Sequence, residues 1–282
     1  MKTHLVFLEI AKTDLRAAKC LFCQKLYPQS VFHLQQSIEK AVKSFGIWNK
    51  IISETEARNA VGHKAWKVYS KTLSGFKKKV VELEKFLETS PRLKKVRFMK
   101  ELKLAEMKNN LDNFQRMSLD EYGWDASFSK KELKNIIKEI DRLKAKLRRK
   151  ITVNVNASEK EIDDFKRRFY EFLDTLHEIN PSIAGKLEKS KNEVGKVTPR
   201  LMIDSLKALI EFLSRFIVCS ISLFYLSLVF SPHAIRTRYP EDSSPLQVYN
   251  DKMPLVQMLG SFIRITKETL ENLDYVYASK VN

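Results

Sequence analysis

Residues 31–45 read VFHLQQSIEKAVKSF, and the spacing of their apolar side chains decides the fold class. Val31, Leu34, Ile38, Ala41, Val42 and Phe45 recur every three or four positions, the period that lines one face of an α-helix. The pattern predicts a helix from about Ser30 to about Trp48. Upstream, Leu8, Ala11, Leu15, Ala18, Leu21 and Phe22 keep the same period, which predicts a first helix over residues 5–26, broken at LYPQS by Pro28. Downstream, SETEARNAVG (53–62) reads as a polar loop, after which Gly62 and His63 start a third helix carrying Ala65, Trp66, Tyr69 and Leu73.

Beyond residue 75 the segments become long, charged and strongly periodic. Leu133, Ile136, Ile137, Ile140, Leu143 and Leu147 predict an exposed helix over about 129–150 with one apolar seam. Ser158 and Glu161 form a capping box for another helix, with Ile162, Phe165, Phe169, Phe172, Leu173 and Leu176 inward. NPSIAGKLEKSKNEVGKV (180–197) reads as a linker. Thr198 and Pro199 then suit the N-cap and first turn of an apolar helix reaching about Phe230. SPHAIRTRYPEDSSP (231–245) reads as irregular, and a final helix closes the chain over about 248–275.

Composition agrees with an all-α chain: only 7 Gly and 8 Pro occur in 282 residues, too few for a fold rich in tight turns. Three cysteines, an odd number in a long chain, argue against a disulfide framework and for a reducing cytoplasm. Cys20 and Cys23 form a C-x-x-C inside an apolar helical pattern, with no second ligand pair. The first residues gain charge every few positions and do not read as a secretory signal. FIVCSISLFYLSLVF (216–230) is the one membrane candidate, but it falls short of the ~20 residues a span needs and reads better as a core helix. No Gly-rich phosphate loop, H-E-x-x-H, G-x-S-x-G or paired metal-ligand cluster is present, so neither a metal nor a cofactor is expected.

The net charge of +17 is concentrated in the first half. Residues 1–75 carry 12 basic and 5 acidic side chains and residues 76–150 carry 22 and 12, whereas residues 151–282 balance. The densest runs are Lys77 to Lys79, Arg92 to Arg97 and Arg142 to Lys150. Such runs can neutralise phosphates, or serve as a solvated helix face.

Four blocks in order, AKTDLRAAKCLF (11–22), VFHLQQSIEKAVKS (31–44), GHKAWKVYSKTL (62–73) and TRYPE (237–241), resemble the HEPN (higher eukaryotes and prokaryotes nucleotide-binding) domain family, in its nucleotidyltransferase-partner form. The resemblance implies an up-and-down bundle of four to five helices built from residues 1–75 and 199–282, usually dimeric, interrupted by a helical insertion over 76–198. It also implies binding of RNA or nucleotide, a toxin-like role beside a minimal nucleotidyltransferase, and in some members metal-independent endoribonuclease activity through R-x(4-6)-H.

The sequence RNAVGH (58–63) fits that box. Bare Arg-to-His spacing is common by chance, and Asn59 directly after the arginine narrows it. In the catalytic reading Arg58 clamps the phosphate, His63 acts as general base or acid for attack by the RNA 2′-hydroxyl, and Asn59 orients one of them. In the other reading His63 merely begins a helix and Arg58 is solvated. A second group, His33, Gln36 and Lys40, lies on one face of the second helix and suits a phosphate or nucleotide. Arg236, Arg238 and Tyr239 form a third, two guanidiniums and a ring at an irregular turn. A different class of function is also open, a non-catalytic scaffold that recruits a protein through the 129–150 seam.

Overall fold

The computed structural model describes residues 2–59, 68–69, 77–78, 80–82, 84–85, 109, 128–151, 159–179, 184–196, 198–237 and 245–279. Among them every regular element is an α-helix, as the composition and periodicity require. The helices are α1 (Thr3–Cys23), α2 (Tyr27–Trp48), α3 (Glu54–Asn59), α4 (Lys130–Ile151), α5 (Glu159–Ile179), α6 (Ala184–Gly195), α7 (Pro199–Phe230), α8 (His233–Arg236), α9 (Pro245–Val248) and α10 (Pro254–Ala278). The chain divides into two compact units. The first holds Met1–Thr72, Ser118–Thr152 and Glu211–Asn282, and the second holds Leu73–Met117 and Val153–Ile210.

In the first unit α1 and α2 form an antiparallel pair whose register is written in serines. Ser30 Oγ donates to the Ala18 carbonyl (2.8 Å), Ser37 Oγ to the Ala11 carbonyl (2.7 Å) and Ser44 Oγ to the His4 carbonyl (2.6 Å). Seven residues up one helix match seven residues down the other. Each helical carbonyl has a second lone pair, so the bonds form without opening the α1 ladder. Ala11, Ala18, Ser30, Ser37 and Ser44 are all fully buried, and their small side chains let the two backbones approach.

Both helices end in a left-handed residue that is not glycine. Lys25 (φ 59°) and Lys50 (φ 57°) occupy the position after the cap. Leu26 N bonds Leu21 O (2.9 Å) and Lys25 N bonds Phe22 O (3.0 Å), while Ile51 N and Lys50 N bond Gly46 O (2.9 Å) and Ile47 O (3.0 Å). These are paired Schellman closures. Pro28 opens α2 instead of merely ending α1, because a first-turn position needs no N–H donor.

The core joins α2, α7 and α10 through aromatic rings. Phe45 meets Phe216 with ring centres 5.3 Å apart, Trp48 meets Tyr277 at 5.3 Å, and Phe230 meets Phe262 edge-on at 5.4 Å. Glu211–Phe230 is long and apolar enough to cross a membrane by length and composition, longer than the stretch the sequence reading picked out. Half of that stretch is buried in the structure, with Leu223, Leu226 and Phe230 fully so.

Gly46 marks the tightest approach to α2. A β-carbon there would lie 2.9 Å from Val68 Cγ1 and 3.0 Å from Ile52 Cγ1, and branched side chains have few alternative rotamers. Gly46→Ala should therefore destabilise the protein by about 1–3 kcal/mol despite the better helix propensity of alanine. Urea denaturation checks this, and a stabilised variant would contradict the packing.

Three segments differ from the sequence reading. Residues 54–59, read as loop, form α3, because Ser53 and Glu56 make a reciprocal capping box: Ser53 N donates to Glu56 Oε2 (2.8 Å) and Glu56 N to Ser53 Oγ (3.1 Å). Ile52 before the cap and Ala57 in the first turn are both buried. Part of the 180–197 linker is α6, which packs on α5 in the second unit: Leu187 is buried, Tyr170 Oη donates to Lys191 O (3.4 Å), and Lys191 pairs with Asp174. The irregular 231–245 stretch contains α8 and the start of α9. By contrast, Thr198 caps α7 as its sequence suggests, with Leu201 N donating to Thr198 Oγ1 (3.3 Å).

The apolar seam of α4 faces its own chain. Leu133 and Ile140 are fully buried, and α4 packs against α10 in the first unit. Lys144 Nζ meets Glu268 Oε2 (2.7 Å), and Arg264 bridges Asp141 (3.0 Å) and Glu268 (2.9 Å). Residues 129–150, which the sequence reading assigns to the insertion, thus share a compact unit with α1, α2 and α10. Leu133 and Ile140 of the seam are thus taken up by the chain itself, while Ile136, Ile137 and Leu143 are half-buried. The residues 76–127 that would flank it are described only in short pieces.

Candidate functional site

Arg58 and Asn59 are the last two residues of α3, and both are exposed. The Ser53–Glu56 box fixes where α3 begins, and five residues after Ser53 the guanidinium stands in its last turn. Arg58 makes no hydrogen bond or ion pair among the described residues. His63 lies outside the described residues, so the helix expected to start there does too.

The second candidate group is assembled by a residue that the sequence reading left without a role. Asp14 of α1 lies between two turns of α2: its Oδ1 is 3.1 Å from His33 Nδ1 and its Oδ2 is 3.2 Å from Lys40 Nζ. Lys40 Nζ also donates to Gln36 Oε1 (2.7 Å), and Gln36 Nε2 donates to Gln35 Oε1 (2.6 Å). Gln35 Nε2 continues to Glu39 Oε2 (3.1 Å), and Lys43 Nζ closes the chain on Glu39 Oε1 (2.8 Å). His33, Gln36 and Lys40 are half-buried, while Gln35, Glu39 and Lys43 are buried.

An ionised carboxylate can only accept, so Asp14 favours a proton on His33 Nδ1 and leaves Nε2 facing away from it. The same carboxylate also meets the Lys40 ammonium, which sets the local charge that any anion would meet. The i, i+3 and i+7 spacing of His33, Gln36 and Lys40 could be read from sequence. The seventeen-per-cent-exposed Asp14 that ties His33 to Lys40 could not, because it belongs to another helix.

The third group is only partly described. Arg236 is half-buried at the end of α8, which packs on α2; Arg238 and Tyr239 lie outside the described residues. Beneath Arg236 is a buried pair that was not expected: His233 Nδ1 and Tyr249 Oη are 2.6 Å apart, with Phe230 edge-on to the imidazole at 6.3 Å. Burial pushes the imidazole down to about 4, and the charge of Arg236 pushes in the same direction. Burial likewise raises the Tyr249 phenol.

His233 is therefore neutral at pH 7, and it carries a pH dependence whose sign follows from its lowered value. The unfolded chain takes up the proton below about 6.5, whereas the folded chain resists until about 4. The contribution is full above pH 6.5 and is lost as pH falls through that window, by about 3 kcal/mol in all. Denaturation at pH 7 and pH 4 should show wild type losing about 3 kcal/mol more than His233→Gln, which keeps a polar partner for Tyr249 but does not titrate. Equal losses would contradict a buried, neutral histidine.

Arg58, the His33 group and Arg236 all lie in the first unit, and α3 and α8 each pack on α2. No cluster of three or more His, Cys, Asp or Glu side chains suited to a metal occurs among the described residues. Cys20 and Cys23 are exposed and unbridged, and Cys219 is buried.

Comparison with known proteins places this geometry in context. The family model of the HEPN domain matches residues 5–174, a span running from α1 through α4 into α5. A protein of Methanocaldococcus jannaschii named as a candidate toxin is 30% identical over 140 residues, which cover 49% of this chain and 91% of that protein. No solved structure matches.

Proposed function

The chain belongs to the HEPN domain family, and from that premise we propose that it is a toxin-like RNA-binding protein that cleaves RNA without a metal through Arg58 and His63. The observation that carries this reading is the placement of Arg58 and Asn59. A catalytic guanidinium must reach a scissile phosphate, and Arg58 is exposed at the end of a capped helix inside the matched span, bonded to none of the described residues. The M. jannaschii relative, named as a candidate toxin, supports the biological half of the reading.

In this mechanism His63 takes the proton of the RNA 2′-hydroxyl as the oxygen attacks the neighbouring phosphorus. Arg58 holds two phosphate oxygens in its planar fork and stabilises the charge that builds on them. The bond from phosphorus to the 5′-oxygen breaks, the leaving oxygen takes up a proton, and a 2′,3′-cyclic phosphate and a 5′-hydroxyl result. Asn59 orients one of the two side chains. Two copies of the chain, as a homodimer, would bring two such boxes together around one electropositive cleft. A small nucleotidyltransferase is the proposed partner protein, in a reducing cytoplasm. His33, Gln36 and Lys40 with Asp14, and Arg236 with Arg238 and Tyr239, are proposed as secondary phosphate or nucleotide contacts.

The test is degradation of a mixed RNA by the purified chain in EDTA, with the termini of the products identified. Cyclic phosphate ends support the reading; intact RNA overturns it.

A further inference from the structure

The sequence of α4 sets three acidic residues among ten basic ones, and the fold does not leave the two signs equally free. Glu132 is consumed at the N-terminus of the helix, where its Oε2 accepts from Ser129 N (2.8 Å) and Ser129 Oγ (2.7 Å). Asp141 pairs with Arg264 of α10 (3.0 Å), and Glu139 pairs with Arg142 (2.5 Å). Every described acidic side chain of α4 is thus partnered. Lys130, Lys131, Lys134 and Lys138 are exposed and have no ion-pair partner among the described residues.

The helical period puts four exposed cations in one row. With Leu133 and Ile140 buried against the unit, the opposite side presents Lys131, Lys134, Lys138 and Arg142 at i, i+3, i+7 and i+11. The row is about 16 Å long. Arg142 ends it, its side chain 76% exposed. Two features hold the row in place: the buried seam, and the ion pairs of Lys144 and Asp141 to α10. Four cations on a fixed line, of which only Arg142 pairs with an acid of its own helix, Glu139, are complementary to a line of evenly spaced negative charges.

We propose that the solvent face of α4, with Lys131, Lys134, Lys138 and Arg142 in one row, is a track for the phosphate backbone of RNA. It rests on the reading of RNA as the substrate and adds to it a sequence-independent contact outside the Arg58 box. Backbone contacts of this kind hold the strand without reading its bases. They release counterions, which gives binding a characteristic dependence on salt.

The experiment uses the full chain, a 5′-labelled oligouridylate too short to fold, and fluorescence anisotropy across a salt series. The triple variant Lys131→Gln, Lys134→Gln, Lys138→Gln removes three exposed charges and leaves the seam and the α10 ion pairs untouched. Its expected Kd at low salt is about tenfold or more weaker, and the slope of log K against log salt becomes shallower by about 2, at roughly 0.7 for each phosphate contact on a single strand. Arg58→Ala, in the same assay, removes at most one phosphate contact and should lower the slope by no more than about 0.7. A wild-type chain that does not bind oligouridylate, or a triple variant with unchanged slope, overturns the track. Loss of binding to phosphatidylserine vesicles, with RNA binding unchanged, reassigns the row to a membrane surface and also overturns it. If the slope falls as expected while Arg58→Ala cleaves as well as wild type, the track stands and the catalytic reading alone fails.

Discussion

Arg58→Ala and His63→Ala should each lower RNA cleavage in EDTA by about 10²–10⁴-fold, the range that general acid–base catalysis and a charge-stabilising donor supply. Arg58 suits such a test because its removal touches little else. It is exposed at the end of α3 and bonded to none of the described residues, so Arg58→Ala should shift stability by no more than about 0.5 kcal/mol. Arg58→Lys keeps the charge but loses the planar fork, and it should recover only part of the rate. The measurement is initial rate with product termini identified, beside a thermal melt of each variant. Full activity in either alanine variant would remove that residue from the chemistry.

Glu39→Ala should cost about 3–5 kcal/mol, the penalty for leaving a buried partner charge alone. Glu39 and Lys43 are one helical turn apart on α2, 2.8 Å from each other, with side chains 7% and 9% exposed. Gln35 supplies a further bond to the carboxylate at 3.1 Å. Removing Glu39 leaves the Lys43 ammonium in the core with no other ion-pair partner among the described residues. The double variant Glu39→Ala, Lys43→Met should regain most of the loss, since an apolar pair of similar bulk needs no compensation. Guanidinium denaturation of wild type, single and double variants measures both terms. A single variant within about 1 kcal/mol of wild type would mean that the long lysine stem carries its charge out to water.

The principal helices were legible because each buries a stripe at helical spacing. Leu8, Ala11, Leu15 and Ala18 of α1, and Val31, Leu34, Ile38 and Val42 of α2, are all buried, and a one-sided stripe of that kind has no other regular solution. Shorter elements were harder. The Ser53–Glu56 box that opens α3 is present in the letters, but six residues are too few to show a period. Residues 184–195 of α6 contain Gly185 and Gly195 and read as linker, although Leu187 finds a buried place beside α5. Lys25 and Lys50 give no hint of the left-handed turns they make, because that conformation is usually announced by glycine.

The candidate site divides along the same line. Arg58, Asn59 and His63 are neighbours in sequence and could be named together from spacing alone. Asp14 with His33, and His233 with Tyr249, could not, since each pair joins residues from different elements. The signs on α4 show the same limit: the run reads as basic, but which of its cations are left without an acid is known only once the fold assigns each acid a partner.

By itself, then, the sequence determined an all-α chain, the faces its main helices bury and a family resemblance that the comparisons bear out, because all three rest on local period and on motifs contiguous in the chain. Only the tertiary structure decided the serine-to-carbonyl register of α1 and α2, the return of α4 onto α10 and the choice of charges left facing water. Those depend on contacts between residues tens to hundreds of positions apart, and whether a charge is free depends on what stands opposite it.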